Sequence, residues 1–562
     1  MKKKGKFTHS NQPTGRVSDR RHSRRSSGLA RYILWLATAL YTLTEAAALT
    51  PETKAVCSGL HTKFPGQLVW DPIGPQATDT ISHASTYNTA LFDYWNAASS
   101  NNRAGCAFFP SNADQVSVAV KLLNAYPTVR FALKGGGHNP NLGHSSVDQG
   151  VLIAFRPNSQ YAIPSADGET VEVGAGCKWE DVYSALEPLG KTAVGGRLGD
   201  VGVAGFLLGG GLSYLSAQYG FACDNVVSFE CVLANGTIAT ASSTSHPELF
   251  FALRGGGNQY AIVTKFVLKT YGIGQNGTIW GGVRTYTADK RREVLSAVTN
   301  FTANNADSKA AIIPTFNFFS TLGVNVPGSL VFFFYDGLEP RRGVFDEFDA
   351  IASFSDSTKR RSYTDLTKEV LAGDMKGLRF QIRENTFPNM PAGDMNSFLN
   401  SHYDLLVKKS TEAALGDVLD FKLFSFAVQP MPRGIARASL ENGGPNALGL
   451  VPEHGDRVWM EYDIAWLNPL CDDKCPGFFE KLVQSQHDLH REKYSGIYPT
   501  NYESGDLEWL SYNPIFMNDA MQGQDVLQSY GNETYSRLLS IHKAYDPRGF
   551  FSDRQGGFKF TT

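Results

Sequence analysis

Three glycine clusters hold the residues best placed to do chemistry: KGGGHNPN (134–141), GGRLGDVGVAGFLLGGGLS (195–213) and RGGGNQYAIVT (254–264). Glycine-rich chain is costly to order. Its use is to bring backbone N–H groups against phosphates or a flat ring. Three such turns between residues 134 and 264 point to a large anionic cofactor. Two common nucleotide signatures fail. GKT at 190–192 lacks the leading P-loop glycine, since Ala185 stands in its place. No G-x-G-x-x-G opens a helix in a βαβ unit followed by an acid. His138 follows the first three glycines directly, ahead of Asn139 and Pro140. By residue type it is a hydrogen-bonding turn histidine, a general base or a point of covalent attachment.

The stretch KGGGHNPNLGHSSVDQGVLIAF (134–155) resembles the histidyl-FAD motif of the vanillyl-alcohol oxidase superfamily. More narrowly it resembles the berberine-bridge-enzyme-like oxidases, which include 6-hydroxynicotine oxidase and many fungal secondary-metabolite oxidases. GDVGVAGFLLGGG (199–211), YGFACDNVVSFECVLANG (219–236) and RGGGNQYAIVTKFVLKTY (254–271) follow in that family's order and spacing. Asn501-Tyr502 and YGNETYSRLLSIHKAYDPRGFF (530–551) resemble its closing segment, so the likeness spans about 57–562. It implies an α+β fold: a two-subdomain PCMH-type FAD-binding module plus a substrate lobe on a large antiparallel sheet. It also implies FAD held covalently by an 8α-histidyl bond at His138. Gly135, Gly136, Gly137, Asn139, Ser145, Ser146, Gly202 and Gly205 would line the pyrophosphate, with Ile262 and Val263 beside the flavin ring. Such attachment fixes the cofactor and tunes its potential.

Two departures from the resembled pattern matter. Some relatives add a second flavin bond through the cysteine of a G-x-C-P-T-V-G run; the aligned GRLGDVG puts Leu198 there, which predicts a single attachment. The usual G-N-F-G-I-V-T reads GNQYAIVT, placing Tyr260 and Ala261 in the close approach. Hydride removal beside a hydroxyl or amine is assisted by a base. A tyrosine of an N-Y motif serves in carbohydrate-oxidising relatives, which maps onto Tyr502. A lobe-strand glutamate serves in berberine bridge enzyme; Trp459 stands at that position, with Glu461 two residues on and on the same strand face. Packing for Tyr502 and a salt bridge for Glu461 are the non-catalytic alternatives. The expected activity is oxidation of a small organic alcohol or amine, with molecular oxygen reduced to hydrogen peroxide. Alternatives are a flavin dehydrogenase, an oxidative cyclase of a biosynthetic pathway, a secreted carbohydrate oxidase, and a flavin-binding protein without turnover.

The positioning elements are legible by period. SNADQVSVAVKLLNAY (111–126) predicts a helix capped by Ser111 or Asn112. VRFALKGGG (129–137) predicts a strand running into the glycine turn, and 151–155, 170–176 and 226–241 further strands, the last with an Asn235-Gly236 hairpin. WEDVYSALEPLG (179–190) predicts a short helix ending at Gly190. Strands at 329–337 and 457–466 alternate with helices at 345–354 and 476–494, and a last helix stops at Asp546-Pro547. The divisions are 1–48 leader, 49–105 N-terminal segment, 106–273 FAD-binding domain, 274–505 substrate domain and 506–562 returning segment. Phe316, Phe318, Phe424, Phe426, Gln429 and Tyr462 are the candidate pocket residues, leaning towards a hydrophobic metabolite, with membership of the core as their alternative.

Charge and cysteines bound the setting. Residues 1–31 hold ten Lys/Arg and one acid, Asp19, before an apolar run from Tyr32 to Leu43 and then Ala46-Ala47-Ala48. This reads as a secretory signal peptide, with an uncleaved signal-anchor as the alternative. Beyond residue 48, 42 of the 52 basic and 52 of the 54 acidic residues remain, a formal charge of −10. That disfavours nucleic acid as a partner. A small-molecule substrate and oxygen are expected, with membrane contact only through an uncleaved leader, and a monomeric protein. Cys57 with Cys106 and Cys471 with Cys475 are the expected disulfides; a zinc site at CDDKC lacks a second ligand pair, so no metal is expected. Cys177, Cys223 and Cys231 read as buried thiols. Sequons at Asn235, Asn276, Asn300 and Asn532 agree with a secreted glycoprotein.

Overall fold

Short apolar runs and long alternating ones organise two different parts of the chain. The computed structural model describes residues 49–74, 81–321, 324–369, 377–416, 422–505 and 514–560, so the leader lies outside the described residues. The short runs form β1 (Leu68–Trp70), β2 (Cys106–Phe108), β3 (Phe131–Lys134) and β4 (Val151–Ala154), in spatial order β1–β2–β4–β3. β2 and β3 pair parallel with β4, and strands covered on both faces call for such unbroken apolar runs. Helix α1 (Ala113–Ala125) makes the crossover from β2 to β3. Asn112 caps it, its side chain accepting from the Gln115 N–H at 3.1 Å. β3 then delivers the chain straight into Gly135.

A second sheet follows: β5 (Ala162–Pro164), β6 (Thr170–Gly174), β7 (Val226–Val232), β8 (Ile238–Ser242) and β9 (Ile262–Lys269). Its order is β5–β6–β9–β7–β8, antiparallel throughout. The hairpin expected at Asn235-Gly236 is the β7–β8 turn, with Val232 opposite Ile238. The third glycine cluster runs into β9 at Ile262.

The long runs build the largest sheet from β10 (Thr278–Thr287), β11 (Ala310–Thr321), β12 (Val324–Tyr335), β13 (Arg379–Pro388), β14 (Lys422–Met431) and β15 (Arg457–Trp466). They lie in the order β10–β12–β11–β14–β15–β13, all antiparallel, with short strands Ser355–Asp356 and Lys359–Ser362 on the β10 edge. Alternation with period two gives the sheet two faces. Phe316, Phe318, Phe333, Phe424, Phe426, Met460 and Tyr462 form one core with α2 (Arg291–Asn304), α3 (Ala392–Gly416) and α4 (Cys475–Lys493). The other face, carrying Ile313, Leu423, Phe380 and Ala465, turns towards the glycine loops.

The helix expected over 345–354 is a single turn, Asp346–Asp349. Its second half goes elsewhere because Ser355 and Asp356 pair with β10, and Asp349 and Asp356 both bind Arg284. The last helix, α5 (Asn532–Tyr545), ends where Asp546-Pro547 requires. The chain before it, from residue 514, returns to the central core through Phe516, Met517, Val526 and Leu527. Disulfides join Cys57 to Cys106 and Cys471 to Cys475, so CDDKC is a cystine loop and no zinc site. Cys177, Cys223 and Cys231 are buried thiols. Among the described residues no helix is long and apolar enough to cross a membrane, and no cluster of three metal-ligating side chains occurs.

Candidate active site

Two of the glycine loops meet backbone to backbone. A Cβ on Gly136 would lie 2.5 Å from Gly202 Cα, and one on Gly202 would lie 2.5 Å from Gly136 N. Only glycine permits that approach. Gly205, in the short helix Val203–Leu208, differs: a Cβ there would meet nothing within 4 Å. It faces a cavity of about 410 Å³ between the glycine loops and the large sheet. Gly135–Gly137, His138, Asn139, Ser145, Gly202, Gly205 and Val263 all line it, joined by Gly257, Asn258 and Ala261 from the third cluster. The Ser145 hydroxyl is buried there without a protein partner, while its carbonyl accepts from the Tyr94 hydroxyl at 2.7 Å. A buried hydroxyl needs a partner. The open face at Gly205 and the waiting donor at Ser145 fit a dinucleotide such as FAD.

Asparagines fasten the first loop to the lobe. The Asn96 amide donates to Pro140 O at 2.6 Å and to Phe380 O at 3.1 Å, and its oxygen accepts from the Phe380 N–H at 3.1 Å. Asn141 donates to Ala520 O at 2.9 Å and accepts from the Gln522 N–H at 2.7 Å. His138 lies flat on Trp95, with ring centroids 4.8 Å apart and planes 9° from parallel. Lys134, one residue before the glycines, donates to Ala90 O and lies 3.6 Å over the Tyr94 ring.

Three carboxylates line the same cavity. Glu461 and Asp463 project from one face of β15 into the cavity, and Asp519 reaches it from the returning C-terminal chain. Burial pushes the Glu461 carboxyl up, against the pull of the Arg197 guanidinium. Burial and then the Glu461 charge push Asp463 well up, although Ser425 donates to it at 2.9 Å. Asp519 is likewise pushed well up by burial and by Glu461, with Arg197 opposing. All three are half-buried on the cavity wall and shielded from bulk water. Arg197, from the second glycine cluster, also lines the cavity and donates to Gln429. Such a site can hold and move protons next to a bound substrate.

Most of the expected site residues converge here, with exceptions. Ser146 sits behind its loop, its hydroxyl accepting from Asn102 Nδ2 at 2.9 Å and from the Gly143 N–H at 3.3 Å. Ile262 is fully buried in β9 and does not reach the cavity, whereas its neighbour Val263 does. Tyr502 is not on the cavity wall: its hydroxyl donates to Gly505 O at 2.9 Å and its ring leans on Tyr498. Trp459 packs on Phe516 with centroids 4.2 Å apart, while Glu461, two residues on, lines the cavity. Phe316, Phe318, Phe424, Phe426 and Tyr462 face the helices, a full strand face away from the cavity. Their odd-numbered neighbours Thr315, Asn317, Leu423, Ser425, Glu461 and Asp463 line the cavity, which is therefore more polar than expected. Arg197, Asp519, Asn96 and Asn141 were not singled out from the sequence. Asp519 follows no motif, and only its place after the N-Y pair in the returning segment hints at the site.

Leu198 lines the cavity where some relatives carry a cysteine, and among the described residues the free thiols are elsewhere. The sequence model of the FAD binding domain matches residues 104–242. An FAD-linked oxidoreductase of Arthroderma benhamiae is 36% identical over 493 residues, covering 85% of this chain and 92% of the relative. The FAD-dependent monooxygenase drtC of Aspergillus calidoustus is 30% identical, covering 84% and 86%. Among solved structures, 6-hydroxy-D-nicotine oxidase from Arthrobacter nicotinovorans superposes with a TM-score of 0.66 at 19% identity, covering 88% of this chain and 98% of that one. That likeness establishes the fold. The glycine loops, the matched FAD binding domain and the extent of the sequence matches agree: the chain belongs to the FAD-linked oxidoreductases, with the fold of 6-hydroxy-D-nicotine oxidase.

Proposed function

We propose that this oxidoreductase removes a hydride equivalent from a small organic alcohol or amine, probed best as a fungal secondary metabolite, and hands the electrons to molecular oxygen as hydrogen peroxide. The observation that carries the reading is one cavity lined both by the glycine loops with His138 and by the carboxylates Glu461, Asp463 and Asp519. FAD bound there supplies the two-electron acceptor. His138 holds it by a single covalent bond, a role supported by its position directly after Gly135–Gly137 and by Leu198 standing at the cysteine position. Glu461 takes the proton from the substrate hydroxyl or amine. A carboxyl raised towards neutrality is a stronger base than an ordinary one. Arg197 steadies the ionised form. Thr315, Asn317 and Ser425 orient a polar group, while Leu330, Phe332, Ile382 and Leu423 exclude water around an apolar body. The substrate is accordingly amphipathic.

In this reading residues 49–273 hold the cofactor, 274–505 the substrate, and 506–562 return to close the cofactor module. Secretion is supported by two disulfides and by exposed sequon asparagines at Asn235, Asn276 and Asn532; Asn300 is half-buried and donates to Glu347 at 2.6 Å. The test is acid precipitation of the purified protein beside H138A, followed by a substrate screen that reads peroxide. Yellow colour that stays in the wild-type pellet and is absent from H138A, with peroxide on turnover, is the expected result. Flavin recovered only in the supernatant refutes the covalent bond. Turnover with an artificial electron acceptor but not with oxygen refutes the oxidase assignment.

A further inference from the structure

The imidazole that follows the first glycine loop is held on a face and at an edge, and the edge contact is an acid. Trp95 covers the face, stacked on His138 and itself stacked on Phe380 with centroids 3.9 Å apart. The Trp95 backbone N–H donates to Gly137 O at 3.0 Å, which ties the residue to the same loop. At the edge, Asp200 Oδ1 stands 3.9 Å from His138 Nε2. That is ion-pair range and one short step from a hydrogen bond. The aligned run in some relatives reads G-x-C-P-T-V-G, so this chain carries a carboxylate where they carry a threonine.

Backbone contacts place Asp200 there. The Gly199 N–H donates to Thr367 O at 2.9 Å, while Gly199 O accepts from the Glu180 N–H at 2.7 Å and Val201 O from the Trp179 N–H at 3.0 Å. Gly202, two residues after Asp200, packs on Gly136, two residues before His138. The glycine contact therefore brings the two side chains into register. Their side chains keep 22% and 26% exposure, not enough to dissolve the pair in water, and of the two His138 lines the cavity.

We infer that Asp200 is a positioning residue for the attachment of FAD to His138, holding the proton on Nε2 so that the Nδ1 lone pair is the nucleophile. The inference rests on the His138 attachment proposed above. A neutral imidazole attacks through the nitrogen that lacks the proton, and a carboxylate at the other nitrogen decides which one that is. The balance is closed. His138 Nδ1 forms a bond to the flavin 8α-carbon, whose C–H bond breaks, and the Nε2 proton leaves through Asp200. Two electrons and two protons thus enter the ring and pass to molecular oxygen, giving hydrogen peroxide.

The test compares wild type, D200N, D200T, D200E and H138A, each made with excess FAD. Total flavin, the acid-stable fraction over time in air, intact mass and Tm are measured. Fixing a histidine tautomer is worth orders of magnitude in rate elsewhere. D200N and D200T are expected to keep the wild-type Tm and total flavin but to attach it at least tenfold more slowly, with D200E recovering most of the rate. Attachment at the wild-type rate in D200N or D200T overturns the inference. If D200N loses its fold, D200T decides on the same readouts. Acid-stable flavin in H138A overturns instead the attachment reading beneath it.

Discussion

Glu461 reaches the cavity by one strand face, and Tyr502 misses it by a chain turn closed through Gly505 O. E461Q is therefore expected to lower the rate of flavin reduction by roughly 10²–10⁴-fold, the usual worth of a positioned base. Y502F is expected to leave that rate within about threefold, since it removes only a hydroxyl bonded away from the site. Stopped-flow bleaching of the flavin reads both, and the opposite ranking would return the base role to the tyrosine. The glycines divide in the same way. G202A drives a Cβ into Gly136 backbone that cannot yield, at a cost of about 1–3 kcal/mol or more, so Tm and flavin both fall. G205A meets no protein atom, so the expected outcome is an unchanged Tm with reduced flavin binding. Thermal melts beside flavin absorbance distinguish the two.

At the scale of elements, the large sheet converts a period of two into a partition of labour. Phe424 belongs to the helix-side core, and F424A is expected to cost about 3–5 kcal/mol with the substrate KM unchanged. Its neighbour Ser425 donates to Asp463 on the cavity side, and S425A is expected to move KM or rate with little effect on the denaturation midpoint. This alternation also explains what the sequence hides. Apolar runs such as β3, the capped helix α1 and the Asn235-Gly236 hairpin are local signals, and they appear where expected. The FAD-binding loops are legible because glycine, histidine and strand ends are contiguous in the chain. Which face of β11, β14 or β15 meets the cavity is not local: Phe316 and Thr315 are equally plausible until the helices α2 to α4 claim one side. Asp519 and Arg197 reach the site from positions 322 residues apart; Arg197 lies within a glycine cluster but matches no motif as a residue, and nothing near Asp519 announces it.

For the whole molecule, the buried acids set a pH dependence. Glu384, Asp463 and Asp519 are held well above the ordinary carboxylate range, and Glu461 above it, by burial first. The unfolded chain releases these protons near pH 4 while the folded one keeps them, so their stabilisation is complete at low pH and is lost as pH rises through the folded values. His144, lowered by burial to about 4, and His402 and His490, lowered by burial to about 3, act in the opposite sense. Their stabilisation is present above about pH 6.5 and lost on acidification. Where the two ranges overlap the groups oppose each other, and D519N is expected to lose less Tm than wild type as pH rises above about 4. A D519N profile of Tm against pH that runs parallel to wild type would contradict this. The same returning segment has a consequence for biosynthesis. Glu384 accepts from the Phe516 N–H at 3.1 Å, and Gln524 donates to Glu384 O at 2.7 Å, pinning the last fifty residues onto a sheet completed much earlier in the chain. Those residues are synthesised about 250 positions after the glycine loops, and Phe516, Met517, Asn518 and Asp519 from them supply part of the cavity lining. A chain truncated before residue 514 lacks that part of the lining and is therefore expected to hold no flavin through gel filtration.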